Sequence, residues 1–396
     1  MRILFLTNLV PYPLHGGVQL RVFNLARRIA RKHDVTIGCH TWDDTDCANA
    51  ELLSREYFPT ISGPVYPFNS GHILPSISAA LHGRPPETAQ YQSPILHNLV
   101  RTGNFDIIQI EETLLAPYAE SLPRAAATKT VLTFHNIHFQ QTRRIAALET
   151  SPLRRAMRHG NAAWMRQYEP RLARRFHRVI TVTPDDRDLL SPTAPGIPID
   201  VLPNGVDTKA LVPLPENAGP PALVFVGTMN YRPCIDGAQW LVREILPLLR
   251  SQIPDLALWI VGRSPAPEVA ALAGNGVHVT GTVPETTPYY SRSSVAVVPL
   301  RAGGGSRLKI LEAMALGRPV VSTTIGAEGI DAGDNTHLLL ADTPGDFANV
   351  VLRLLRDAAL RQTLATRARR HVETTHDWDL IAARQLQIYR ELVPHG

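Results

Sequence analysis

Two successive series of short apolar runs alternate with helix-patterned segments along this chain, and that alternation constrains the fold more than any other feature. The first series opens with residues 3–6, followed by a loop rich in proline and glycine (Pro11, Pro13, Gly16, Gly17) and a helical pattern over 18–31. Further strand-like runs lie at 35–39, 107–110, 131–134 and 179–182. The second series starts again at 223–227, continues with a helical pattern over 235–249, and adds runs at 256–261, 277–280, 295–298 and 320–322. Strands alternating with helices predict parallel sheets covered on both faces. The reading is an α/β chain of two doubly wound, Rossmann-like domains, and its 396 residues exceed what one core ordinarily accommodates.

Pro203, Asn204 and Gly205 favour a turn between the two series, and residues 211–221 form a proline-rich linker. The expected domains are therefore 1–204 and 205–376. A last helical pattern over 377–396 carries Leu380, Ile381, Leu386, Tyr389 and Leu392 as its apolar face. Ligands of doubly wound sheets bind beyond the carboxyl ends of the strands. Gly16 with Gly17, and residues 303–312, both follow a strand and precede a helix, so both are expected to line a central crevice.

The second of these segments carries most of the chemistry. Gly303, Gly304 and Gly305 allow backbone N–H groups to approach a ligand closely. Ser306 reads as the N-cap of a helix that Gly317, Arg318 and Pro319 terminate. Arg307 and Lys309 then fall in the first turn, beside Leu308. A helix N-terminus is electropositive, so two cations there are misplaced unless an anion joins them, and a phosphate or diphosphate fits. Glu312 lies on the same face as Lys309, about 5 Å further along the axis. A carboxylate there suits sugar hydroxyls, and the segment reads as a site for diphosphate and ribose together.

Composition narrows the alternatives. The formal charge is +5, a mild basic balance that favours anionic substrates without demanding nucleic acid. Lysine is confined to Lys32, Lys129, Lys209 and Lys309, arginine supplying the other basic side chains. Cys39, Cys47 and Cys234 form neither a disulfide framework nor a metal-ligand spacing. No apolar stretch reaches the roughly 18 residues of a membrane span, and the N-terminus reads as a buried strand, so the default location is cytoplasmic. Asp44, Thr45 and Asp46 have a metal-like spacing but read as a solvated polar loop, and no metal is expected. Arginines crowd residues 143–178, where acids are few, chiefly Glu149 and Glu169. With Trp164, Met165 and Leu172 as an apolar stripe, this stretch reads either as a peripheral contact with an anionic membrane or as a solvated helical face.

The order of these motifs resembles the GT-B nucleotide-sugar glycosyltransferases, most closely glycosyltransferase family 4, over nearly the whole chain. The resemblance rests on the opening strand with Gly16 and Gly17, and on Thr133, Phe134, His135 and Asn136. It also rests on the run from Leu202 to Asp207, on Phe225, Val226 and Gly227, and on the segment from Leu311 to Val321. It implies a mostly retaining transfer from a nucleoside-diphosphate sugar. The acceptor would be a glycan, a lipid-linked molecule or a small molecule, and the terminal helix would return to the first domain. It also implies that His135 lies at the donor sugar. Two departures stand out. Of two family glutamates separated by seven residues, Glu312 matches the second, and Gly304 stands at the first, as in a triple-glycine subgroup. The family's Arg and Lys after the strand ending at Gly227 are reduced here to Arg232, so Arg307 and Lys309 are expected to take over phosphate binding. Glu111 and Glu112, after the run at 107–110, read equally as acceptor ligands or as solvated groups. A nucleotide-sugar 2-epimerase and a non-catalytic nucleotide-sugar-binding subunit remain as alternatives.

Overall fold

Every expected strand forms in the computed structural model, which describes residues 1–66, 78–81, 83–122, 127–149, 151–305 and 307–394. The chain divides into two units. The first comprises Met1–Phe139, Asn161–Pro203 and Trp378–Gly396; the second comprises Gln140–Gly160 and Asn204–Asp377. Residues 140–160 thus belong with the second unit although they precede the turn at Pro203.

The first unit holds a parallel sheet of β1 (Arg2–Thr7), β2 (Asp34–Thr41), β3 (Thr60–Pro64), β4 (Ile107–Ile110), β5 (Lys129–Phe134), β6 (Arg178–Thr181) and β7 (Ile199–Val201). Their order is β3-β2-β1-β4-β5-β6-β7. Both faces are covered, which is why the central strands read as continuous apolar runs. Side chains alternate faces: Ile3 and Phe5 join one core with Val22, Leu25 and Ile29, whereas Leu4 and Leu6 join another with Leu132, Phe134 and Leu172. The Trp378–Leu392 helix packs Trp378, Ile381 and Tyr389 into the first of these cores. Its Asp379 accepts from Arg28 Nε at 2.7 Å.

The second unit repeats the plan with β8 (Ala222–Val226), β9 (Ala257–Val261), β10 (Val277–Val279), β11 (Val295–Val298), β12 (Val320–Ser322) and β13 (Leu339–Leu340). The order is β10-β9-β8-β11-β12-β13, again parallel. The expected helix over 235–249 is instead an α-helix, Arg232–Trp240, a π-turn at Leu241–Ile245 and a short helix, Leu246–Arg250. Asp44–Glu56 is a helix and not a polar loop: Asp43 is its N-cap, accepting from Asp46 N at 2.8 Å. The Asp44–Asp46 carboxylates therefore sit in an electropositive first turn, which explains them without a metal.

Candidate active site

Strand order reverses in the second unit between β8 and β11, so a ligand site is expected beyond the ends of these two strands. Gly227 follows β8, and the glycine loop follows β11. The loop delivers the Leu308–Ala315 helix, which begins later than expected, with Arg307 in the N-cap position at φ −97°. Ser306, read as the cap, lies outside the described residues. Lys309 is therefore in the first turn and Arg307 just before it.

Lys309, like Arg307 and Arg232, makes no ion pair among the described residues. Its Nζ lies 5.0 Å from the centre of the Phe225 ring and 3.7 Å from Cys234 Sγ. Among the described residues no carboxylate lies within ion-pairing distance of it. Burial pushes its ammonium below the usual lysine range, and Arg307 adds like-charge repulsion. Gly227 makes the room: a Cβ there would stand 2.9 Å from Lys309 Nζ and 3.0 Å from Cys234 Sγ. Gly262 is equally constrained, because a Cβ would overlap the Gly227 carbonyl oxygen at 1.6 Å.

Arg307 plays a different part from the one its position suggests. It is 7% exposed, and its guanidinium donates to Gly304 O and, at 3.4 Å, to Ile325 O. It holds the glycine loop from beneath, while its Nε is buried without a hydrogen-bond partner. Arg144, from the 140–160 segment, holds the same loop from another side. It donates to Gly303 O at 3.1 Å and forms a two-pronged pair with Glu328. The loop accepts these contacts in a conformation that requires glycine, with φ 121° at Gly303 and 67° at Gly305. Gly304 has no such requirement, and it supplies the carbonyl that Arg307 binds. Arg232 opens its helix; its Nη2 donates to Leu148 O at 3.0 Å, and its Nε is buried without a hydrogen-bond partner.

Glu312 lies one turn beyond Lys309 and is half-buried. Its carboxylate accepts from Thr286 Oγ1, and it forms no ion pair with Lys309 or Arg307 among the described residues. Burial raises its pKa above the ordinary carboxylate range, opposed by the Thr286 hydroxyl and the Lys309 charge. One oxygen is thereby oriented, leaving further acceptor capacity.

In the first unit, Gly16 precedes the Gly17–Ile29 helix with extended backbone (φ −139°), and neither Gly16 nor Gly17 takes a positive φ. Backbone geometry therefore does not account for the pair. His135 follows β5 and is nearly buried. Its Nε2 lies 3.1 Å from Glu111 Oε2, beyond the end of β4. Glu111 is fully buried and also faces Arg21 Nε at 3.9 Å. Burial would raise its pKa, but His135 and Arg21 together hold it below the ordinary range. Arg21 also donates to Leu202 O at 3.0 Å and Pro203 O at 3.1 Å. Of the two adjacent glutamates, Glu111 is thus an internal counter-charge, whereas Glu112 caps the next turn through Thr113 N at 2.9 Å. His138 is separate from this cluster: it opens the His138–Ala147 helix, whose first amides, His138 N and Phe139 N, donate to buried Glu169 at 2.8 and 3.2 Å.

Sequence reasoning left Cys234, Thr286 and Glu328 without a role, read Glu111 as an acceptor ligand or a solvated group, and placed Arg144 in the arginine-rich stretch, not at the glycine loop. Their partners lie far off in the chain, and only Glu111 carried a local hint, its place directly after an apolar strand. Among the described residues no three metal-ligating side chains gather, and no helix is long and apolar enough to cross a membrane.

Two doubly wound units, the second with a cationic glycine-loop site at its switch point, define the GT-B class. Sucrose-phosphate synthase from Thermosynechococcus elongatus superposes with a TM-score of 0.75 at 20% identity, covering 100% of both chains. Anabaena HepE in complex with UDP and glucose does so with a TM-score of 0.70 at 16% identity, covering 99% of this chain and 100% of that one. The family model described as Glycosyltransferase Family 4 matches residues 15–210, and that for Glycosyl transferases group 1 matches residues 220–357. The chain belongs to glycosyltransferase family 4. It is also 27% identical over 363 residues to the phosphatidyl-myo-inositol mannosyltransferase of Mycobacterium leprae, covering 85% of this chain and 87% of that one.

Proposed function

We propose that this glycosyltransferase takes its sugar from a nucleoside-diphosphate sugar and transfers it with retention at the anomeric carbon. The observation that carries the reading is Lys309: a half-buried ammonium with no carboxylate partner among the described residues, next to a second cation and a glycine loop. A leaving diphosphate supplies the missing charge, and the stabilisation grows as the glycosidic bond breaks. Arg307 serves the same end by fixing the loop whose amides face the phosphates. Glu312 accepts from the ribose hydroxyls, its other contact already set by Thr286. His135 hydrogen-bonds near the reacting sugar, with the Glu111 carboxylate 3.1 Å from its Nε2.

Support for the donor class comes from the HepE complex with UDP and from the mannosyltransferase likeness. Support for retention comes from the family resemblance. The cations already present make the reaction independent of a metal, so chelation with EDTA leaves turnover unchanged. A thermal-shift panel of UDP-, GDP-, ADP- and TDP-sugars identifies the donor, and proton NMR of the product reads the anomer. An inverted product ends the retaining reading. Donor conversion with no acceptor present would replace transfer by epimerisation.

A further inference from the structure

The Pro152–Ala173 helix changes character along its length. From Ala162 onward it enters the core through Ala162, Met165, Tyr168 and Leu172. The expected apolar stripe is therefore corrected: Met165 and Leu172 are internal and Trp164 is half-buried. No residue from Pro152 to Asn161 is buried. In this first half Leu153 is 72% exposed and Met157 67% exposed. They are four residues apart and so share one face. Two large apolar side chains thus stand open together on one helical face.

The charge around them says what covers it. Arg154 makes no side-chain hydrogen bond or ion pair among the described residues, and Arg143, on the preceding helix, is exposed. The nearby acid, Glu149, is nearly buried and already engaged: its carboxylate pairs with Arg158 at 2.9 Å and its carbonyl binds Arg155. Among the described residues the exposed first half of the helix is thus apolar and cationic, with no free acid. A second copy of the chain would set arginine against arginine in a symmetric contact. Nucleic acid would leave Leu153 and Met157 uncovered. An anionic bilayer satisfies both parts, taking the apolar side chains into its headgroup boundary and the guanidiniums onto lipid phosphates.

We propose that the exposed half of this helix docks the protein on an anionic membrane surface. The proposal is independent of the transfer reading, because it is tested without turnover. The full chain is floated with vesicles of phosphatidylcholine alone and of phosphatidylcholine with phosphatidylglycerol. Binding is expected only to the anionic vesicles and is expected to weaken with salt. Leu153→Ser with Met157→Ser weakens it by about tenfold or more, and Arg154→Ala by about fivefold. Both variants keep the wild-type melting temperature and nucleotide affinity, since the altered side chains are exposed. Three results each overturn the proposal. They are no affinity for anionic vesicles, undiminished binding by both variants, and a dimer in sedimentation velocity that the double serine variant abolishes.

Discussion

Removing the carboxylate of Glu111 is a severe test of how the first unit is held together. Glu111 and Arg21 are both fully buried, 3.9 Å apart, and Glu111 also meets His135 Nε2 at 3.1 Å. At an effective dielectric of about 20, two charges at that separation attract by about 4 kcal/mol. Breaking a buried pair by deleting one partner typically costs about 3–5 kcal/mol, because the other charge is stranded. Glu111→Ala therefore destabilises the first unit by about 4 kcal/mol, which for a unit of this size lowers its melting temperature by on the order of 10 °C. Two units make a single unfolding free energy ill-defined, so the assay is hydrogen exchange of β4 and β5 amides, with β8 and β11 as the internal control. Glu111→Leu combined with Arg21→Met, which removes both charges, should recover most of the loss. The pH dependence has a definite sign. The Glu111 pKa is lowered by folding, so its contribution is present above the unfolded value and lost only as pH falls through the lower folded one. The variant lacks that acid limb. A loss below about 1 kcal/mol, or strictly additive effects in the double variant, would refute the pairing.

Further expectations follow from single contacts. Gly303→Ala imposes a side chain at φ 121° and 2.9 Å from Arg307 Nη2, so it should distort the loop and lower nucleotide affinity by at least tenfold while the melting temperature changes little. Titration calorimetry with a nucleoside diphosphate reads this directly. Folding raises the Glu169 pKa to about 7, so the stability it lends is complete below the unfolded glutamate value and drains away as pH rises through 7. The loss is about 3 kcal/mol in all. Glu169→Gln removes this slope, so denaturant midpoints at pH 5 and pH 8 should differ less in the variant than in the wild type.

The sequence makes both sheets legible because their central strands are apolar on both faces, and such runs stand out without any structural knowledge. It misses β3, β7 and β13, edge strands that are short or polar, such as Thr60–Pro64. Lys309 and Glu312 are legible as a pair through helical spacing alone. The start of their helix is not, because an arginine whose guanidinium folds back onto Gly304 O takes the N-cap position. Arg307 looks like a ligand in the sequence and in the structure serves first as a brace. The reason lies in contacts with Gly304 and Ile325 that no local pattern announces. The same holds for Arg144, which reaches Gly303 and Glu328 from a segment that the sequence groups with the other unit. Glu111 illustrates the limit most plainly. It and Glu112 are identical neighbours in sequence, and burial alone separates an internal counter-charge from a helix cap.

The measurement that bears most directly on the account is calorimetric titration of nucleoside diphosphates against the wild type and Lys309→Ala. Lys309 holds no ion pair among the described residues, so its loss should leave the melting temperature within a few degrees. A bound diphosphate should instead lose a charge-assisted contact of about 1.5–3 kcal/mol, a weakening of roughly 10- to 150-fold. A saturable wild-type isotherm weakened to that extent in the variant is the expected result. Equal affinity in the two proteins would contradict the assignment of this site to the donor diphosphate.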